Sequence, residues 1–332
     1  MKALVIGGTG FAGRVLVAEL LKAGHTVSVM HRRAKHDLGR RVKNIIADRN
    51  DAHAVRAALA GGNFELVFDN VYDKDRGTTA GHVEATVRAA GNNIHRYVFM
   101  SSVAAYGDGL NHHEGDALAP DDAPELYVRN KAMSERALFR LHQRIGLPAV
   151  TLRPPYIYGP ENPYYREAFF WDRLRAGRPV ILPGDGRRLM QFIYVKDLVR
   201  AALKSVEEPA AAGHAFNIAN SRPISQAEAV EAFAKACHKP AKFVRIPREY
   251  ILRVGGHPMG PKYYFGVYFD LPPITQVTAK AQRVLKFKPI DFATGLKETY
   301  KWHLRHNGFP KPDFAFEDAL LANAPVLAPA KA

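Results

Sequence analysis

"GGTGFAG", residues 7–13, follows directly on the apolar run Ala3-Leu4-Val5-Ile6, and its glycines at 7, 10 and 13 stand three apart. Residues 3–6 read as a buried strand, and FAGRVLVAELLKA (11–23) carries apolar residues at helical spacing. Between a strand and a helix such a turn can hold a phosphate. The first glycine permits the tight turn, the second lets backbone approach a pyrophosphate, and the third lets the helix pack closely on the strand. The helix N-terminus then presents N–H groups and the positive end of its dipole to the anion. A plain packing turn is the competing reading, and the alternating pattern of the downstream chain weighs against it.

Strand-like segments recur at 26–30, 42–48, 64–71, 96–102 and 149–154. Helical patterns separate them at 52–60, about 78–91 and about 125–145. Apolar strands alternating with helices predict a parallel sheet with helices on both faces, a Rossmann-type doubly wound α/β fold. QFIYVKDLVRAALKSVEE (191–208) reads as a further strand and helix of that sheet domain. SRPISQAEAVEAFAKAC (221–237) opens a helix with Ser225 and Glu228 as a capping box. The expected domains are a dinucleotide-binding domain over 1–158 with 191–207 and a smaller, mixed substrate domain over 159–190 with 208–316. An Ala/Pro-rich flexible tail is expected over 317–332.

Composition narrows the function classes. The chain has 332 residues, 47% of them hydrophobic, and a formal net charge of +15. No run approaches the eighteen or so apolar residues of a membrane span, and four apolar residues before the glycines are too few for a secretory signal. The single cysteine, Cys237, allows no internal disulfide, so a soluble, cytoplasmic protein is expected. The excess of positive charge suits an anionic substrate, RNA or simple solubility, and Lys and Arg are spread along the whole chain. NHHEGD (111–116) holds two His and two acids. Adjacent His side chains point apart and no second cluster exists, so no metal is expected.

In NAD-binding turns an acidic residue ends the second strand; here SVMHRR places His31, Arg32 and Arg33 there. A guanidinium pairs bidentately with a 2′-phosphate, which points to NADP(H) with Arg32 as the main contact and Arg33 the secondary one. NAD(H) is the alternative, the arginines then being solvated surface charge. Asp48, ending the third strand, is placed to accept from the adenine amino group. YVRNK puts Tyr127 and Lys131 four apart on one helix face, where an ammonium beside a phenol favours the phenolate and equips it as a general base. Ser102, at the end of the preceding strand, can hydrogen-bond the same substrate oxygen.

GGTGFAG, FMSSVAAYG, YVRNK, LRPPYIYGP, FIYVKDLVRAAL, FNIAN and the closing AKAQRVLKFKP together resemble the extended short-chain dehydrogenases/reductases of the NAD(P)-dependent epimerase/dehydratase family. The resemblance implies that Gly7, Gly10 and Gly13 hold the pyrophosphate and that Ser102, Tyr127 and Lys131 form the catalytic set. It also places Thr9, Phe11, Arg49, Ser101, Pro154 and Tyr156 on the cofactor, the backbone after Arg153 meeting the nicotinamide. It implies oxidation or reduction at a hydroxyl or carbonyl carbon of a sugar-like substrate, by an epimerase, dehydratase or reductase. It further implies a homodimer through the helices near 78–91 and 125–145. Members acting on nucleotide sugars often carry Asn where Tyr156 stands, an Arg where Met190 stands, and HLAA where this chain has FDNVYD. These departures spare the cofactor half. The stretch from RPPYIYGP to QFIYVKDL most resembles the chloroplast stem-loop-binding-protein-like subgroup. That implies a nucleotide-binding, RNA-associated protein as the second reading, not the favoured one.

Overall fold

The computed structural model describes residues 1–306 and 308–328. The chain divides into two compact units.

The first unit comprises residues 1–155, 195–219 and 276–289 and is built on a seven-stranded sheet. Its strands are β1 (Lys2–Ile6), β2 (Thr26–His31), β3 (Val42–Ile46), β4 (Leu66–Asp69), β5 (Arg96–Met100), β6 (Ala149–Arg153) and β7 (His214–Asn217). All pairings are parallel, in the spatial order β7-β6-β5-β4-β1-β2-β3. The order reverses at β1, and in such sheets ligands bind outside the carboxyl ends of the strands at that reversal. The register sets Ile6 opposite Met30 of β2 and Asp69 of β4, so the chain leaves β1 into the glycine turn at the reversal itself.

The helices are α1 (Phe11–Lys22), α2 (Ala52–Leu59), α3 (Ala80–Ala90), α4 (Leu126–Ile145) and α5 (Val195–Glu207). Asp51 caps α2 by accepting from the His53 and Ala54 amides, and Gly146 closes α4 in the left-handed region at φ 70°. Leu4, Ile6, Val67, Tyr97 and Phe99 bury one sheet face with Val55, Val83, Val87 and Leu138 from the helices. Continuous apolar strands pack on both faces here, as the sequence pattern predicts.

Several placements differ from the expected ones, and residues 276–289, read with the substrate domain, group with the first unit. Phe192–Tyr194 is not a strand of the large sheet; it pairs in parallel with Tyr156–Tyr158 inside the second unit. The seventh strand is β7, from the segment read as substrate domain. It is four residues long with polar His214 and Asn217 at its ends, too short for a period to show.

The second unit comprises 156–194, 220–275 and 290–332. Trp171, Phe169, Phe170, Phe192, Phe233 and Phe269 are each nearly inaccessible there. The expected capping box is present, the Ser225 hydroxyl accepting from the Glu228 amide and the Glu228 carboxylate from the Ser225 amide. The segment read as a tail from 317 holds the larger part of a helix, Ala315–Asn323, and its last four residues lie outside the described ones. Glu317 of that helix is buried and accepts the Arg173 guanidinium at 2.5 Å. A sequence window weights the closing Ala and Pro residues and is blind to a pair 144 residues apart.

Candidate active site

The glycine turn is shaped by two of its three marked glycines. Gly7 has φ +80° and donates to Met30 O of β2, a backbone state that L side chains resist. A Cβ on Gly13 would lie 2.1 Å from Gly7 O, so α1 can close on the turn only without one. Gly10 differs. Its φ of −95° suits any residue, and a Cβ there would meet only Gly7 O at 3.8 Å. Nothing in the protein itself forbids a side chain at Gly10. Thr9 and Phe11 flank it, half-buried.

Thr9 also lines a cavity of about 300 Å³ with Arg14, Arg33, Lys35, His36 and Asp37. Arg14 reaches both Asp37 carboxylate oxygens, at 2.7 and 2.9 Å, leaving Arg33, Lys35 and His36 as the cavity's other basic groups. Arg32 takes a different direction, its guanidinium lying 3.6 Å from the Asp73 carboxylate. Sequence order ranks Arg32 first, and the structure puts Arg33 on the turn's own cavity.

Asp48 accepts from the Asn50 amide at 2.9 Å and from Arg76 at 2.8 and 3.1 Å. Those donors bring its carboxyl below the usual range although burial opposes them. Arg49 is turned away from Asp48. It is buried, donating to Thr86 Oγ1, to His82 O and to the Asp69 carboxylate, which also accepts from Tyr97. Its side chain fastens β4 to α3. Asn70, next along, donates its backbone N–H to Ile6 O beside the turn, while both polar atoms of its side chain are buried without a partner. An orphaned amide beside a phosphate-type turn is the kind of group a ligand satisfies.

Past β5, Ser101 and Ser102 part company. Ser101 is buried and donates to Glu135 on α4. The Ser102 oxygen accepts from the Ala104 amide at 3.1 Å, which leaves its own O–H to donate elsewhere. On α4, Tyr127, Lys131 and Glu135 recur every fourth residue and form one stripe. Tyr127 is 36% exposed, and Lys131 is buried with its Nζ donating to Met100 O at 2.6 Å. The Nζ lies 5.8 Å from the Tyr127 ring centre and 4.7 Å from that of Phe99. Burial brings the Lys131 ammonium down to about 8, with the Asp69 charge opposing the shift. The stripe stands on a buried pair: Glu135 also accepts from Thr151 and from Nε and Nη2 of Arg153. Burial alone would lower Arg153, but the Glu135 carboxylate holds it charged well above its ordinary value.

The structure thus brings Ser102, Lys131 and Tyr127 to the carboxyl end of β5, and Pro154, buried, accepts there from the Val103 amide. Tyr156 belongs to the second unit, where its hydroxyl donates to Tyr268 O and burial raises it to about 12. Sequence reasoning missed Tyr72, whose ring meets Tyr127 edge-on at 4.7 Å and whose hydroxyl accepts from Asn130. It also missed Glu135, although one further step of four from Lys131 reaches it. The NHHEGD segment serves structure: His112 stacks on Tyr106 at 4.4 Å, and Glu114 accepts from the Asn217 amide. Among the described residues no group of three or more His, Cys, Asp or Glu could hold a metal, and no helix is long and apolar enough to cross a membrane.

A parallel sheet of this order, with a glycine turn after β1 and a Tyr–Lys stripe on α4 facing the end of β5, is the architecture of the extended short-chain dehydrogenases/reductases. The chain belongs to the NAD-dependent epimerase/dehydratase family, whose model matches residues 3–219. It is 31% identical to the chloroplast stem-loop binding protein of 41 kDa b of Arabidopsis thaliana, over 98% of this chain and 85% of that one. It is 26% identical to UDP-N-acetyl-alpha-D-glucosaminuronate decarboxylase of Bacillus cytotoxicus, over 91% of this chain and 97% of that one. Among solved structures it resembles UDP-glucuronic acid 4-epimerase of Bacillus cereus in complex with NAD and a UDP-sugar. The TM-score is 0.72 at 19% identity, covering 92% of this chain and 99% of that one.

Proposed function

We propose that this enzyme is an NADP(H)-dependent oxidoreductase or epimerase in which Tyr127 is the general base on a hydroxyl of a sugar-like substrate. The observation that carries the reading is the α4 stripe: an exposed phenol one turn from a buried ammonium, itself anchored on Met100 O two residues before Ser102.

The residues present fit a dinucleotide. Gly10 leaves backbone accessible where a pyrophosphate would approach, and Asn70 offers an unsatisfied amide beside it. Gly7, Gly10 and Gly13, with the α1 N-terminus, would hold the pyrophosphate, Thr9 and Phe11 flanking it. Asp48 would accept from the adenine amino group. Arg33, with Lys35 and His36, would take a 2′-phosphate in the cavity beside Thr9. Lys131 and the backbone after Arg153 would meet the nicotinamide end. When bound, the nicotinamide supplies the two-electron acceptor and donor.

The chain's own groups handle the proton. The Ser102 O–H donates to the substrate oxygen and orients it. Tyr127, as phenolate, takes the hydroxyl proton as the carbon is oxidised and returns it when the carbonyl is reduced. Lys131 stabilises that phenolate electrostatically, and Glu135 with Arg153 holds the floor beneath both.

A melting-temperature screen of dinucleotides, nucleotide sugars and short RNA tests this. Stabilisation by NADP(H), and a further shift with a nucleotide sugar, support it. The stem-loop-binding relative and the +15 charge favour one other reading, an RNA-associated protein. A salt-steep stabilisation by RNA alone would favour that one.

A further inference from the structure

The chain that leaves β4 returns to α3 through residues 70–79, and two of its side chains reach the place where an adenosine would lie on the reading above. Arg76 Nη2 bridges the Asp48 carboxylate at 2.8 Å and the Asp73 carboxylate at 2.6 Å. Arg32, from the end of β2, lies 3.6 Å from the same Asp73 oxygen, and Asp73 is only 9% exposed. Two guanidiniums and two carboxylates therefore balance at the ends of β2, β3 and β4. The Asp73 Oδ1 is committed locally, accepting from the Asp75 and Arg76 amides at 3.1 and 3.0 Å, which fixes the carboxylate in place.

We propose that Asp73 sets the dinucleotide specificity of this enzyme: it occupies Arg32, so a 2′-phosphate gains attraction on the Arg33 side alone. The proposal rests on the dinucleotide reading. Specificity is a difference of affinities, and a carboxylate that already holds an arginine lowers what that arginine can give to one ligand's distinguishing phosphate. NAD(H), with no phosphate at that carbon, is indifferent to the Asp73 charge. NADP(H) must approach a carboxylate that neutralises one of its two nearest arginines. Asp73 thus tempers a preference that His31-Arg32-Arg33 by itself would make steep.

The substitution that isolates this is Asp73→Asn. An amide oxygen keeps the acceptor for the Asp75 and Arg76 amides, while the charge is lost together with the two bonds that Oδ2 accepts from the Arg76 guanidinium. Asp75→Asn is the control: Asp75 is exposed, in the same loop, and carries the same charge without touching Arg32. Calorimetric titration of NADP and NAD into the full chain gives the ratio of the two affinities. That ratio should rise about two- to fivefold in Asp73→Asn, the upper range of a partly exposed ion pair, and stay within about 1.5-fold in Asp75→Asn. In an Arg32→Ala background the Asp73→Asn rise should disappear, since the two residues act as one unit. An unchanged ratio in Asp73→Asn, an equal rise in the control, or a rise that survives without Arg32 would each overturn the proposal. Binding of neither dinucleotide to the unaltered protein would instead overturn the cofactor reading on which it rests.

Discussion

Replacing Gly13 by Ala and Gly10 by Ala should separate what the glycine turn does for the fold from what it does for a ligand. The Gly13 Cβ would sit 2.1 Å from Gly7 O and 2.9 Å from Gly7 C and Gly8 Cα, all backbone atoms that no side-chain rotation can clear. Ordinary contact begins near 3.5 Å, so α1 must shift by about 1 Å from the turn. Overpacking of that kind costs about 1–3 kcal/mol, and the helix N-terminus moves with it. At about 2 °C per kcal/mol for a chain of this size, the melting temperature should fall by roughly 2–6 °C. For Gly10 the nearest atom to a Cβ is 3.8 Å away. Ala is a poorer N-cap than Gly, but it also narrows the unfolded ensemble, and the two effects nearly cancel, leaving about 0.5 kcal/mol or less. A pyrophosphate approaching that backbone would meet the new methyl, so NADP affinity should fall at least about tenfold, or about 1.4 kcal/mol. Thermal melting read by circular dichroism and calorimetric titration on the same samples give both numbers. The reasoning is refuted if Gly10→Ala melts as early as Gly13→Ala, or if it binds dinucleotide as the unaltered protein does.

The α4 stripe and the assembly supply further expected outcomes. Because burial brings Lys131 to about 8, turnover should fall as pH rises through about 8, where the ammonium that supports the phenolate is lost. The stability contribution of the same group runs the other way: between about 8 and the ordinary lysine value of 10.5 the unfolded chain binds more protons, so unfolding becomes harder as pH rises through that window. Rate–pH profiles and urea unfolding at each pH check the two signs. Glu135→Ala leaves Arg153 buried without its carboxylate and should cost about 3–5 kcal/mol in urea unfolding. A homodimer through α3 and α4 should appear in light scattering at micromolar concentration, and a monomer there removes that expectation.

What the sequence reveals and what it hides divide along chain separation. The glycine turn and the YVRNK motif are local, seven and five residues, and their spacing alone places them on a turn and on one helix face. Glu135 lies four residues beyond Lys131, yet what makes it matter is Arg153 on β6, 18 residues away across a helix-to-strand contact. Asp48 is legible as lying just past β3, but its partner Arg76 comes from a loop 28 residues on. Arg49, adjacent to Asp48, reads as its companion at the cofactor. The turn that follows β3 sends its side chain the other way, to Asp69 and Thr86 beneath α3. The different directions of Arg32, toward Asp73, and Arg33, into the cavity beside Thr9, are hidden for a similar reason, since no periodicity governs side-chain direction where β2 gives way to a loop. β7 escapes notice because four residues with polar ends carry no period.

The central claim is that Tyr127 moves the proton while adding little to cofactor binding. Its most direct test is the turnover number of Tyr127→Phe on whichever nucleotide sugar the unaltered enzyme converts, with NADP affinity titrated on the same preparation. The phenol oxygen acts on the proton in the transition state, so turnover should fall by about 100- to 10,000-fold while dinucleotide affinity stays within a few fold. A Phe variant that turns over like the unaltered enzyme would contradict the account.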